Sequence, residues 1–186
     1  MEWIIPGTVL TARVEDANHV EAQFQSMFLA GGIVLSQVSG VTGLEAYTVQ
    51  NWVKRGFLAP PDHKRYSLRQ LCRIININML KNVLPMERIV GLMTYINGSL
   101  DDESDDIIDD ATLYFMFVRL AAQARVMNNP QGRDDCIAKE LASYREPVPG
   151  ARERVEKVLR IMLTAWIGVQ TIRRADQMLA QLKDGC

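Results

Sequence analysis

The sequence predicts an almost all-α fold, with short helices near the middle of the chain and a helical bundle at the C-terminal end. Apolar residues recur at helical spacing in Leu68, Leu71, Cys72, Ile75 and Met79, and again in Val158, Met162, Ala165, Val169, Ile172 and Leu179. Two shorter segments, Ser36–Ser39 and Ala46–Arg55, are separated by Gly40-Val41-Thr42-Gly43, the pattern of brief helices joined by a glycine-containing turn. No repeat of solenoid length appears.

Taken in order, Met1–Val14 reads as irregular or extended. Asp16 is placed to cap a helix running to about Ala30, with Val20, Phe24, Met27 and Phe28 on its apolar side and Gly31-Gly32 ending it. After the two short helices, Gly56 stands where a helix stop needs a left-handed residue. Pro60-Pro61 then forces a turn with Lys64-Arg65 on its far side. Ser67 is an N-cap candidate for a helix to about Asn82, and Pro85 begins another through about Ile96. Asn97-Gly98 breaks the chain. Ser104 is read as the cap of a helix from Asp105 to Val126, its first-turn acids favoured by the helix dipole. Asn128–Gly132 and Pro147–Gly150 read as loops, and a last helix runs from Ala151 to about Leu182. Its stretch Leu159–Val169, apolar on nearly every side, implies burial in a bundle or in a dimer interface. Three regions result: 1–32, an N-terminal segment and helix; 33–96, the short-helix region; and 97–186, a helical C-terminal dimerisation or regulatory region.

At 186 residues the chain can bury a substantial core, and 48% apolar with 23% charged residues is an ordinary globular composition. The net charge of −1 hides a partition. Ile33–Ile96 carries eight basic and three acidic residues, a net of +5, and Asp101–Asp110 then contributes seven acids. Cys72, Cys136 and Cys186 have no ligand spacing, so neither a disulfide framework nor a cysteine-ligated metal is expected. No export signal or membrane span is read, which makes a cytoplasmic location the expectation. The spacing Asp101, Glu103, Asp105 partly mimics a calcium loop. Asp106 in place of its glycine and Thr112 in place of its closing glutamate argue against one, leaving the acidic run as a solvated helix start. No nucleophile elbow, phosphate loop, dinucleotide motif or HExxH zinc motif is present, so neither an enzyme nor a cofactor is expected.

The segment Thr48-Val49-Gln50-Asn51-Trp52-Val53-Lys54-Arg55-Gly56-Phe57-Leu58 resembles the MerR family of bacterial transcription regulators. In that family the recognition helix has a threonine, an aliphatic residue and Arg-Tyr-Tyr-Glu, and it ends in Gly-Leu-Leu. Leu35–Leu44 is similar to the family's first helix and turn, Lys64-Arg65-Tyr66-Ser67 to the exit of its wing, and Leu71–Met93 to its second helix pair. A fuller resemblance, to about Leu120, is to an uncharacterised bacterial family carrying this domain. The resemblance implies a MerR-like winged helix-turn-helix at 33–96, followed by a helical C-terminal bundle. It also implies a transcription regulator that binds double-stranded DNA as a homodimer, with no effector specified. Gln50 and Asn51 depart from the family's arginine and first tyrosine. A protein-interaction scaffold that keeps the fold without binding DNA is the alternative.

Within that frame Gln50 and Asn51 are amides on the expected outward face, suited to bidentate pairing with adenine, or else plain polar surface. Tyr47 and Thr48 stand at the helix start, where they could donate to phosphates; Thr48 could equally be a structural cap. Lys54, Lys64 and Arg65 are the phosphate candidates, because neutralising phosphate needs only approximate placement; the alternative is a solvated turn. Trp52 and Tyr66 are expected in the core. His63, Arg69, Arg73 and Lys81 read as surface residues, the last three as solubilising charge.

Overall fold

The computed structural model describes residues 2–100, 102–124 and 130–184. The N-terminal segment is more ordered than expected. Strands β1 (Glu2–Ile4) and β2 (Thr11–Arg13) pair antiparallel, with Trp3 opposite Ala12. The pairing turns Trp3 and Ile5 into the core. Thr8 Oγ1 donates to Ile5 O (2.9 Å) and so closes the turn internally. A 3-10 segment, Val14–His19, leads into α1 (Val20–Met27), which is shorter than the sequence suggested. Val20 and Phe24 are buried, while Met27 is exposed because the helix stops before a further turn can cover it.

Strand β3 (Ile33–Val34) precedes α2 (Leu35–Thr42) and α3 (Ala46–Lys54). Gly40 lies inside α2 and does not separate two helices; the turn is Gly43-Leu44-Glu45 alone. Strand β4 (Arg65–Tyr66) returns antiparallel to β3, with Ile33 opposite Tyr66. Helix α4 (Leu68–Leu80) is the central element and buries nearly all of its length. It starts as the sequence predicts: Gln70 N–H donates to Ser67 Oγ (3.2 Å), and Ser67 N–H donates to Gln70 Oε1 (2.9 Å), a reciprocal capping box. Pro85 precedes α5 (Met86–Asn97).

The acidic segment departs most from expectation. Helix α6 (Asp110–Ala124) begins at Asp110, not Asp105, and Asp109 caps it. Asp109 Oδ1 accepts from the N–H groups of Ala111 (2.9 Å) and Thr112 (3.0 Å). Residues 105–109 stay out of the helix because their backbone is used elsewhere. Ile107 N–H donates to Ile96 O (2.9 Å), and Tyr144 Oη donates to Ile107 O. The expected end of that helix at Val126 lies outside the described residues, as do Asn128 and Asn129. Pro130-Gln131-Gly132 are not loop but the first turn of α7 (Pro130–Glu140), where proline at the helix start costs no backbone bond. Helix α8 (Ala151–Asp184) closes the fold.

One apolar core runs from Trp3 through α4 and α6 to Trp166. Phe24, Tyr114 and Phe115 pack with ring centroids 5.3–5.9 Å apart, and Tyr114 Oη donates to Pro6 O (2.9 Å). On α8, Val158, Met162 and Val169 are buried, whereas Ile172 and Leu179, placed in the same seam by spacing, are exposed. Every side chain from Thr171 to Leu182 is exposed, so the helix leaves the body there. Among the described residues no helix is long and apolar enough to cross a membrane.

Two of the acids, Asp106 and Asp110, are not part of a solvated helix start, and two of the arginines are not surface charge. Arg73 is 5% exposed; its Nε donates to Phe57 O (3.1 Å) and its Nη1 to Asp110 Oδ2 (3.3 Å). The Asp110 side chain is 2% exposed, and Arg69 pairs with Asp106, whose side chain is 7% exposed. Burial pushes the Asp106 carboxyl up to about 6, against the pull of Arg69. Asp110 is likewise raised by burial, opposed by Arg73.

Two outcomes follow for stability. Asp110→Ala leaves the Arg73 guanidinium buried without its counter-charge and should cost about 3–5 kcal/mol in urea unfolding. The double change Arg73→Met with Asp110→Leu should cost clearly less, because no charge is left stranded. Asp106 is protonated more readily folded, near pH 6, than unfolded, near about pH 3.9. Its contribution should therefore be full below about pH 4 and lost as pH rises through about 6. Asp106→Asn should flatten unfolding free energies measured across that window.

Candidate nucleic-acid interface

Helix α3 is held at both ends by backbone chemistry. At its start, Gly43 adopts φ +69°, and a Cβ there would meet Val9 Cγ1 at 2.6 Å, so the turn from α2 requires glycine. Thr42 Oγ1 donates to Val38 O (2.8 Å) and accepts from Leu44 N–H (3.2 Å), which stiffens the same turn. At its end, Gly56 has φ +71°, its N–H donates to Val53 O (3.0 Å), and Phe57 N–H reaches Trp52 O (2.9 Å). Those two bonds form a Schellman stop. The Arg55 guanidinium lies 4.4 Å from the centre of the Phe57 ring.

Between these ends, Val49 and Trp52 are buried and Val53 is half-buried. Tyr47, Gln50, Asn51 and Lys54 are all exposed, at the three- and four-residue spacing of one outward face. Thr48 is half-buried in the first turn. Glu45 occupies the cap position without a side-chain cap bond, so Thr48 does not cap the helix.

The hairpin that follows is tight. Arg65 N–H donates to Asp62 O (2.7 Å), with His63 at φ +46° and Lys64 at φ +64°, the pattern of a type I′ turn built without glycine. This turn places His63 and Lys64 at an exposed tip. Tyr66 is buried beneath it, as expected of a framework residue. Gly32 permits the close approach of β3 to β4, since a Cβ there would lie 2.8 Å from Tyr66 O. Arg65 is exposed, but its Nη1 donates to Gly32 O (2.6 Å), which makes it a clasp of the hairpin as well as a surface cation.

The structure brings Gln50 and Lys64, fourteen residues apart, together: both line a groove of about 570 Å³. Val34, Leu35, Ser36, Val53, Pro61 and Tyr66 complete its lining, which is mostly apolar. Tyr47, Asn51 and Lys54 lie outside the groove on the exposed face of α3. Among the described residues Lys54, Arg55 and Lys64 have no acidic partner, so their charge is directed at solvent. Ser36 and Arg55 were not singled out from the sequence. Ser36 has no local signal, because its place beside Gln50 depends on the angle between α2 and α3. Arg55 adjoins the Gly56 stop, and that position could have been read.

Residues 29–117 match the family model described as "Domain of unknown function (DUF1836)", a span reaching from before β3 into α6. An uncharacterised protein of Bacillus subtilis (strain 168), YkrK, is 28% identical over 86 residues. That match covers 44% of this chain and 37% of the relative's length. No solved structure matches.

Proposed function

We propose that the chain is a bacterial transcription regulator that binds double-stranded DNA through a MerR-like winged helix-turn-helix. In this reading α2 and α3 are the helix pair, the 57–66 hairpin is the wing, and α3 enters the major groove. The observation that carries it is the joint placement of Gln50 and Lys64 along one groove, beside the exposed row Tyr47, Asn51 and Lys54. Amides on an outward helix face suit base edges, and cations without acidic partners suit phosphate. The turn and stop geometry of α3 supports the reading, because a reading element must be rigid before it can discriminate. The resemblance of Thr48–Leu58 to the MerR segment adds to it. A homodimer completes the proposal: Ile172, Leu179 and Leu182 are exposed where α8 leaves the body, an apolar stripe suited to a second copy. Two DNA half-sites would then be read about one helical turn apart.

A second reading has its own support. The groove between α3 and the hairpin is lined mainly by apolar side chains, which suits a peptide as well as a nucleic acid edge. Under it the same surface is a protein-docking scaffold.

Gel-shift titration against DNA from upstream of the protein's own gene decides between them. Retardation at micromolar protein and low salt is expected, with affinity falling steeply as salt rises. Lys54→Ala and Lys64→Ala should each lower the salt slope by about 1 and weaken all sequences alike. Gln50→Ala should instead narrow the difference between preferred and random DNA. No retardation, or binding indifferent to salt, would leave the scaffold reading. Light scattering should give twice the monomer mass.

A further inference from the structure

Behind the hairpin lies a cavity of about 250 Å³ that none of Tyr47, Gln50, Asn51, Lys54 or Lys64 lines. Its lining divides by chemistry. Leu58, Ala59, Pro60 and Leu100 supply apolar wall; Arg73, Asn97 and Asp110 supply polar atoms. The hairpin limb is not loose here, since Gln70 Nε2 donates to Ala59 O (3.1 Å) and Pro60 O (3.0 Å). This wall of the cavity is therefore fixed by side-chain-to-backbone hydrogen bonds.

Asn97 is the informative residue. It ends α5 and is 3% exposed, and neither its Nδ2 nor its Oδ1 has a hydrogen-bond partner. Asp110 is half used: Oδ2 takes Arg73, and Oδ1 takes no donor. Buried polar atoms are matched in the great majority of folded proteins, so one donor and two acceptors unmatched beside one cavity ask for an explanation. We infer that the cavity is a binding site for a small uncharged molecule with an amide-type edge, of the class of free nucleobases and ring carboxamides.

Three properties point to that class. An amide-type edge sets an acceptor beside a donor, the complement of the Asn97 carboxamide, and a further N–H can serve Asp110 Oδ1. The guanidiniums of Arg69 and Arg73 are already paired with Asp106 and Asp110, so a net charge on the ligand would go uncompensated. At about 250 Å³ the cavity has room for one ring system. Apolar walls with a few convergent polar groups are the usual make-up of such sites. The inference does not depend on DNA binding, and either can fail alone.

The test titrates the full ¹⁵N-labelled chain with uracil, hypoxanthine and nicotinamide separately, with inorganic phosphate as the charged control. At least one of the three should shift the Asn97 side-chain amide and the backbone signals of Ala59 and Gly98–Leu100 at up to millimolar concentration; phosphate should not. Response to the bases alone, or to nicotinamide alone, distinguishes the two sources of the edge. Asn97→Leu should raise the melting temperature, because it removes an unmatched amide, and should weaken binding tenfold or more. Leu100→Trp, which fills the space while keeping Asn97, should abolish binding. No shift with any of the three, a stronger response to phosphate, or undiminished binding in both variants would overturn the assignment. So would a lowered melting temperature for Asn97→Leu, since that would mean the amide is matched in solution.

Discussion

The Arg73–Asp110 contact is the constraint on which the arrangement of the central elements depends. Arg73 sits in the middle of α4 and reaches two acceptors at once, Phe57 O and Asp110 Oδ2. Phe57 follows the glycine stop of α3, and Asp110 opens α6. One guanidinium therefore ties the exit of the outward-facing helix to the two helices that form the core. A planar fork with fixed donor directions specifies both position and angle, which apolar packing alone does much less strictly. Asn76 Nδ2, one turn further along α4, reaches Asp110 O (3.4 Å) and repeats the constraint from the same helix face.

That fastening changes what the charge partition means. Eight basic residues in Ile33–Ile96 suggest a broadly basic surface, yet Arg69 and Arg73 face inward to Asp106 and Asp110. Arg65 is partly committed to Gly32 O. The cations left toward solvent near α3 are Lys54, Arg55 and Lys64, gathered around the exposed face and the hairpin tip. The acidic run is not held outside the fold as a whole. Two of its members are the internal partners of α4, and Asp109 caps α6. The proposed DNA-facing side is thus smaller and more localised than a residue count implies, which fits contacts made by one helix and one turn.

Legibility followed the range of the interactions. The Ser67 cap, the Gly56 stop, helix α4 and the buried Trp52 were readable because each rests on neighbours within about one helical turn. The start of α6 was misplaced because the acids at 105 and 106 look like first-turn residues. The Asp105 carboxylate in fact accepts from Ser99 N–H (3.0 Å), Asp106 pairs with distant Arg69, and the adjoining Ile107 backbone is bonded to Ile96 and Tyr144. Helix α7 was missed because Pro130 and Gly132 read as loop punctuation and few apolar residues mark a periodic face. It is held by Cys136 and Ile137 in the core and by Arg119 Nε on Glu140 (2.8 Å). The exposed end of α8 repeats the spacing of its buried part, so sequence could not say where the body ends.

From sequence alone came the helical class, the boundaries of the strongest helices, and the outward row Gln50, Asn51 and Lys54. All of these depend on local hydrogen bonding and on the 3.6-residue period. Tertiary structure alone decided that Gln50 shares a groove with Lys64, that Arg73 and Asp110 lie inside, and that Asn97 borders a cavity. Each of those facts is a meeting between residues tens of positions apart or across separate elements. A helical period states which way a side chain points from its own helix; only packing states what it meets there.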